Sequence, residues 1–158
     1  MAWQTPITDR ILQDAVEVRQ GINNPKGAFQ ASDWNRILGN ELYIQDLIQE
    51  WKAIIADIND ILESDESSYP TDADLNRLAQ NIVILRDVAG YTPVGYTTPI
   101  TDYVGGFGDN AKRPSYIDIN IMENDLLYLK QMIQGAIDMW RICGEAICSN
   151  DSQQIDVL

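Results

Sequence analysis

Between residues 31 and 63, apolar side chains recur at alternating steps of three and four. Trp34, Ile37, Ile44, Ile48, Trp51, Ile55, Ile58 and Leu62 make the stripe, Glu41 interrupts it, and Leu47, Ile54 and Ile61 widen one side. The spacing predicts a helix about 50 Å long at 1.5 Å per residue. Ser32 is a suitable N-cap, and "ESDESSYP" closes the helix with polar residues and Pro70. Residues 115–148 repeat the design through Ile119, Met122, Leu126, Leu129, Ile133, Ile137, Trp140 and Ile147, with Ser115 and Asp118 as a capping pair. Shorter helices fit residues 8–22 and 72–89, the second capped by Thr71 with Asp74 and stopped by Gly90. No stretch alternates long enough to require a strand, although a short hairpin fits residues 91–103. The pattern predicts an all-α fold, an antiparallel helical bundle of about four helices, two long and two short. The apolar face of residues 31–63 is too wide for a strict coiled-coil seam and needs more than one neighbour.

Two short motifs recur along this frame. "TPITD" stands at residues 5–9 and again at 98–102, each time with an aromatic residue two positions earlier, Trp3 and Tyr96. Pro6 and Pro99 fix extended chain, Thr8 and Thr101 are placed to cap the next segment of chain, and Asp9 and Asp102 close the motif. The second motif opens helices, as Asp33, Asn35 and Asn40, as Asp74, Asn76 and Asn81, and as Asp118, Asn120 and Asp125. A carboxylate in a first helical turn accepts from free N–H groups and favours the positive end of the dipole. Buried asparagines need partners, which the backbone of a strap such as "TPITD" offers; a ligand site is the sharper alternative. Together the motifs predict a degenerate duplication within a single helical domain, residues 1–158, with units 3–89 and 96–148 joined by a loop at 90–113. The copy at Asp74 has no "TPITD" before it. Trp3 and Tyr96 are expected at equivalent places against the helices that begin near Asp33 and Asp118.

The combination resembles a sequence style of phage and prophage proteins from Gram-positive bacteria, found in or beside tail, baseplate and tail-fibre proteins. One matching set is Trp3, Pro6, Thr8, Asp9, Asp33, Asn35, Arg36, Ile37 and Asn40; a second is Tyr96, Pro99, Thr101, Asp102, Asp118 and Asn120; a third is Asp74, Asn76, Arg77, Leu78 and Asn81. Ile121 departs by replacing the arginine, and Asp125 by replacing the second asparagine. The resemblance implies a virion structural protein of the tail, made in the bacterial cytoplasm, that contacts other virion proteins and forms a homo-oligomer in assembly. It implies no enzymatic activity.

Charge sharpens the exclusions. The 24 Asp and Glu against 11 Lys and Arg give −13, which repels nucleic acid and anionic membranes and opposes self-association. Histidine is absent, which removes the commonest general base and zinc ligand. Cys143 and Cys148 fit two buried reduced thiols, "MAWQTP" is not a secretory signal, and no apolar run reaches a membrane span. The Gly105–Lys112 stretch lacks the Gly-Lys-Ser/Thr of a phosphate loop, and the acidic run 63–74 lacks the glycine and terminal glutamate of an EF-hand loop. No catalytic, cofactor-binding or metal-ligating residue is assigned. The long linker 90–113 is rich in aromatics, and Tyr91, Tyr103 and Phe107 are possible interface residues, whereas Tyr96 packs inward by its alignment with Trp3. The alternative to a virion role is a soluble helical adaptor or regulator that binds one protein partner.

Overall fold

A computed structural model describes residues 2–24, 26–27, 29–63, 71–105 and 111–151, with side chains as far as Cys143. Among these described residues four helices form, α1 (Leu12–Arg19), α2 (Ala31–Lys52), α3 (Asp72–Ala89) and α4 (Tyr116–Asp151). All start alike. An aspartate in the first turn, Asp14, Asp33, Asp74 or Asp118, accepts the backbone N–H of the residue three positions earlier at 2.7–3.2 Å. The chain thereby satisfies a donor that would otherwise lie outside the helical ladder. Thr71 and Ser115 complete the box by accepting the Asp74 and Asp118 amides. Ser32 does not cap α2; the position belongs to Gln30, and Asp33 supplies the side chain. Thr8 does not cap α1, whose N-cap is Ile11.

The bundle is all-α as the periodicity requires, but its helices do not alternate in direction. The start of α2 meets the start of α4, where Asp33 and Arg36 bond and Arg36 reaches Glu123. The far ends of the same pair meet at Arg141 and Glu50, 2.6 Å apart. Likewise Asn81 of α3 donates to Glu41 of α2, and Lys52 at the end of α2 donates to the carbonyls of Val88 and Ala89 at the end of α3. So α2, α3 and α4 run parallel, and α1, with no buried residue, lies outside them.

Counting from the first-turn aspartates, the three helices place their buried residues in register. Ile37, Leu78 and Met122 stand at one level; Glu41, Ile82 and Leu126 at the next; then Ile44, Leu85 and Leu129; then Ile48, Ala89 and Ile133. All twelve are fully buried. The steps of four, three and four are those of a heptad seam shared among three parallel helices. An apolar face too wide for one neighbour is what two neighbours require.

Parallel neighbours force the chain to travel back between helices, and this explains the largest departure from the periodicity. The helix predicted over 31–63 ends at Lys52, where Ala53 turns into the left-handed region at φ 55°. Residues 54–63 then return irregularly along the bundle. Ala56 is buried and Ile58 and Ile61 pack on the core, while Ile54, Ile55 and Leu62 are exposed. The linker 90–113 is the second return; residues 91–103 form no hairpin, and among the described residues of the linker an isolated bridge joins Val104 and Lys112. Helix α3 matches its predicted span and stops at Gly90, φ 78°. The segment 8–22 is helical only from Leu12 to Arg19, because residues before it belong to a strap.

Helix α4 outruns its neighbours. Ile137 is in register with Lys52, the last residue of α2, so about 20 Å of α4 continues past it at 1.5 Å per residue. Trp140, predicted on the buried stripe, is therefore 73% exposed, alongside Met139 at 68% and Ile142 at 66%. Cys143, predicted buried, is exposed for the same reason. The side chains of Ile147 and Cys148 lie outside the described residues.

Candidate functional site

The polar residues singled out by the repeats converge on three straps laid across the bundle, residues 3–10, 56–62 and 96–103. A primary amide carries an acceptor and a donor side by side, the complement of one residue of extended backbone. Asn40 uses it on the first strap: Gln4 N–H donates to Oδ1 and Nδ2 donates to the Gln4 carbonyl, both at 2.9 Å. Asn120 does the same with Arg10 at 3.3 and 2.9 Å, and Asn76 with Tyr103 at 2.7 and 3.0 Å. Asn81 holds Asn59 of the second strap through its N–H at 2.8 Å and its carbonyl at 3.1 Å. Asn35 has the register of Asn76 and Asn120 and is half-buried in the second turn of α2. The predicted backbone role of the asparagines is what the structure shows at these four positions.

Each strap spans two helices in rotation. The first joins α2 to α4 through Asn40 and Asn120, and the third joins α4 to α3 through Asp125 and Asn76. The second joins α3 to α2, through Asn81 and through Gln45 Nε2 and Trp34 Nε1, which donate to the carbonyls of Ala56 and Leu62. The arrangement is a pseudo-threefold. Residues 56–62 take the strap role without "TPITD", because the contacts made are to backbone and demand no particular side chain.

Trp3 and Tyr96 are correspondingly placed. Trp3 packs on Tyr43 of α2, with ring centres 5.6 Å apart, under Lys130 of α4 at 5.4 Å. Tyr96 lies under Arg86 of α3 at 5.2 Å, one residue after Gly95, where a Cβ would stand 3.0 Å from the Tyr128 ring of α4. Tyr43 and Tyr128 are ten positions after Asp33 and Asp118, and Lys130 and Arg86 are twelve after Asp118 and Asp74. Pro6 is half-buried and Pro99 buried. Asp9 and Asp102 are exposed and pair with Lys26 and Lys112, which hold both carboxyls below their ordinary range.

One junction carries a buried charge cluster that the motifs did not announce. Arg10 and Arg36 converge on Asp33 and Glu123 with bonds of 2.5–3.1 Å, all four residues at most 9% exposed. Glu123 also accepts the Ile7 N–H at 2.6 Å, and Arg10 donates to the Ile7 carbonyl. Two cations balance two anions, so the cluster is neutral, and its carboxylates hold the Arg36 guanidinium above its ordinary value despite burial. The corresponding junction of the third strap has Tyr103, Ile121 and Ala79 at the register of Arg10, Arg36 and Glu123. The arginine of the helix-start motif is therefore no shared contact: Arg36 is buried in the cluster, while Arg77 is exposed beside Asp74. Only Glu123, an acid next to the seam residue Met122, hinted at the cluster in the sequence.

Two further acids are buried without a cation bonded to them. Glu41, in the seam, accepts from Asn81 Nδ2 at 3.0 Å, and burial pushes its carboxyl well above the ordinary value. Asp125 accepts the Thr97 N–H at 2.9 Å, and burial raises it to about 7, against the pull of that N–H and of Arg86.

The three possible interface residues separate. Tyr91 is exposed, Tyr103 is buried at 3% exposure and belongs to a strap junction, and Phe107 lies outside the described residues. Tyr103 is unavailable to a partner because Asn76 binds its backbone on both sides. A shallow groove between the second and third straps is lined by Asn59, Val83, Ile84, Pro99 and Thr101. Compared with known protein families, curated proteins and solved structures, the chain matches none.

Proposed function

We propose that this chain is a non-enzymatic structural module of a phage virion, serving assembly or attachment in a tail, baseplate or fibre. The observation that carries the reading is the end of α4, which projects past α2 with Met139, Trp140 and Ile142 exposed. A chain of charge −13 is defended against casual association, and a projecting apolar helix in such a chain marks a surface for a specific protein contact. The strap and helix-start motifs, with the resemblance they carry, point that contact toward other virion proteins. No helix among the described residues is long and apolar enough to cross a membrane.

Mass spectrometry of purified particles tests the proposal, with the protein expected as a stoichiometric component. Its absence from particles, together with a single soluble partner captured in cells, would replace the virion role with that of an adaptor.

A further inference from the structure

At the seventh position after each first-turn aspartate the three straps are gripped alike except for one atom. Asn40 and Asn81, each seven positions after its first-turn aspartate, offer their strap residue an accepting Oδ1 and a donating Nδ2. Asp125 holds the third such place, is 1% exposed, and receives the Thr97 N–H on Oδ1. Its Oδ2 stands at the register of the donating nitrogen and has no hydrogen-bonding partner. A carboxylate there has no hydrogen for the strap carbonyl; a carboxylic acid has one, the same complement of acceptor and donor as the asparagine amide.

We propose that Asp125 is a proton-dependent latch, which holds strap 96–103 on α4 as a neutral acid and lets go of it on ionisation, while the straps held by Asn40 and Asn81 stay closed.

The surroundings agree with a neutral acid. The charged and titratable groups facing Asp125 are Arg86 on α3 and the Tyr96 phenol on the strap, and Asp87 of α3 acts on both of these. Arg86 is already bonded to Asp87 at 2.6 and 2.9 Å, and the phenol is pushed up to about 12 by burial, so it stays neutral. A folded value near 7 against an ordinary 3.8 fixes the sign. The closed strap is favoured at low pH, and its opening equilibrium rises about tenfold per pH unit up to about pH 7 and then levels.

Amide hydrogen exchange reads this residue by residue. The protection factor of Thr97 is expected to fall by one to two orders of magnitude between pH 5 and 7, while that of Gln4, held by Asn40, changes far less. In Asp125→Asn the Thr97 profile should become as flat as that of Gln4. The side-chain carboxyl 13C shift of Asp125 in the unaltered protein gives a second measurement should the variant not fold, and is expected to show a protonated acid at pH 5.5. An ionised Asp125 at that pH, parallel Thr97 and Gln4 profiles, or a Thr97 profile unchanged by Asp125→Asn would each overturn the latch.

Discussion

Glu123→Ala tests whether the buried charge cluster is one solution among several for a strap junction. Glu123 accepts four hydrogen bonds, from Ile7 N–H, Arg10 Nη2, and Nε and Nη2 of Arg36. Its removal leaves two buried guanidiniums against the single carboxylate of Asp33 and unties the first strap at Ile7. Breaking a buried pair costs roughly 3–5 kcal/mol, because one charge is left uncompensated in a low-dielectric site. That is a large part of the roughly 5–15 kcal/mol that holds a domain together. The third strap shows the apolar alternative, with Tyr103, Ile121 and Ala79 in register. The quadruple variant Arg10→Tyr, Asp33→Asn, Arg36→Ile, Glu123→Ala follows it and removes both cations along with both acids. Its stability should return to within about 1–2 kcal/mol of the unaltered chain, since buried ion networks replaced as a whole are often neutral in cost. The asparagine keeps an accepting Oδ1 for the Gln30 N–H that Asp33 caps. Urea unfolding followed by far-UV circular dichroism at pH 7 measures both variants. A loss under 1 kcal/mol for Glu123→Ala, or a quadruple variant at least as unstable as the single one, would refute the reasoning.

Asn81→Ala should cost more than Asn40→Ala in the same assay, roughly 3 against 2 kcal/mol, because Asn81 serves Asn59 three times and Glu41 once while Asn40 serves only Gln4; equal losses would contradict the assignment of their bonds. Glu41→Leu fills the seam with the kind of residue found at Ile82 and Leu126. The folded value of Glu41 lies above its ordinary 4.5, so the stability it permits is complete below that pH and declines as pH rises. The variant should lose that decline and gain at least ~1 kcal/mol at pH 7, and a steeper decline than in the unaltered chain would count against a neutral Glu41. Ala53→Gly should stabilise by up to about 1 kcal/mol, since alanine carries a side-chain clash at φ 55° that glycine lacks, and a lower melting temperature would show that the turn is not strained.

By itself the sequence determined what depends on neighbours along the chain. The first-turn aspartates, the stop at Gly90, the three-four seam and the need of the asparagines for backbone partners come from helical geometry and local hydrogen bonding, and each was legible at its own position. The tertiary structure decided the rest. Helical periodicity has no sense of direction, so the stripe through Ile37, Ile44 and Ile48 serves a parallel or an antiparallel neighbour equally; contacts across the pair, Arg36 meeting Glu123 and Glu50 meeting Arg141, settle it. Ile55, Ile58 and Leu62 continued the helical spacing but belong to a return strap, because parallel helices must be reconnected over their full length. The same strap answers to backbone contacts and so needs no "TPITD", which hid a third unit behind the two that are spelled alike. Whether Trp140 is core or surface depended on where α2 and α3 end, a property of the neighbours of α4 and not of α4 itself.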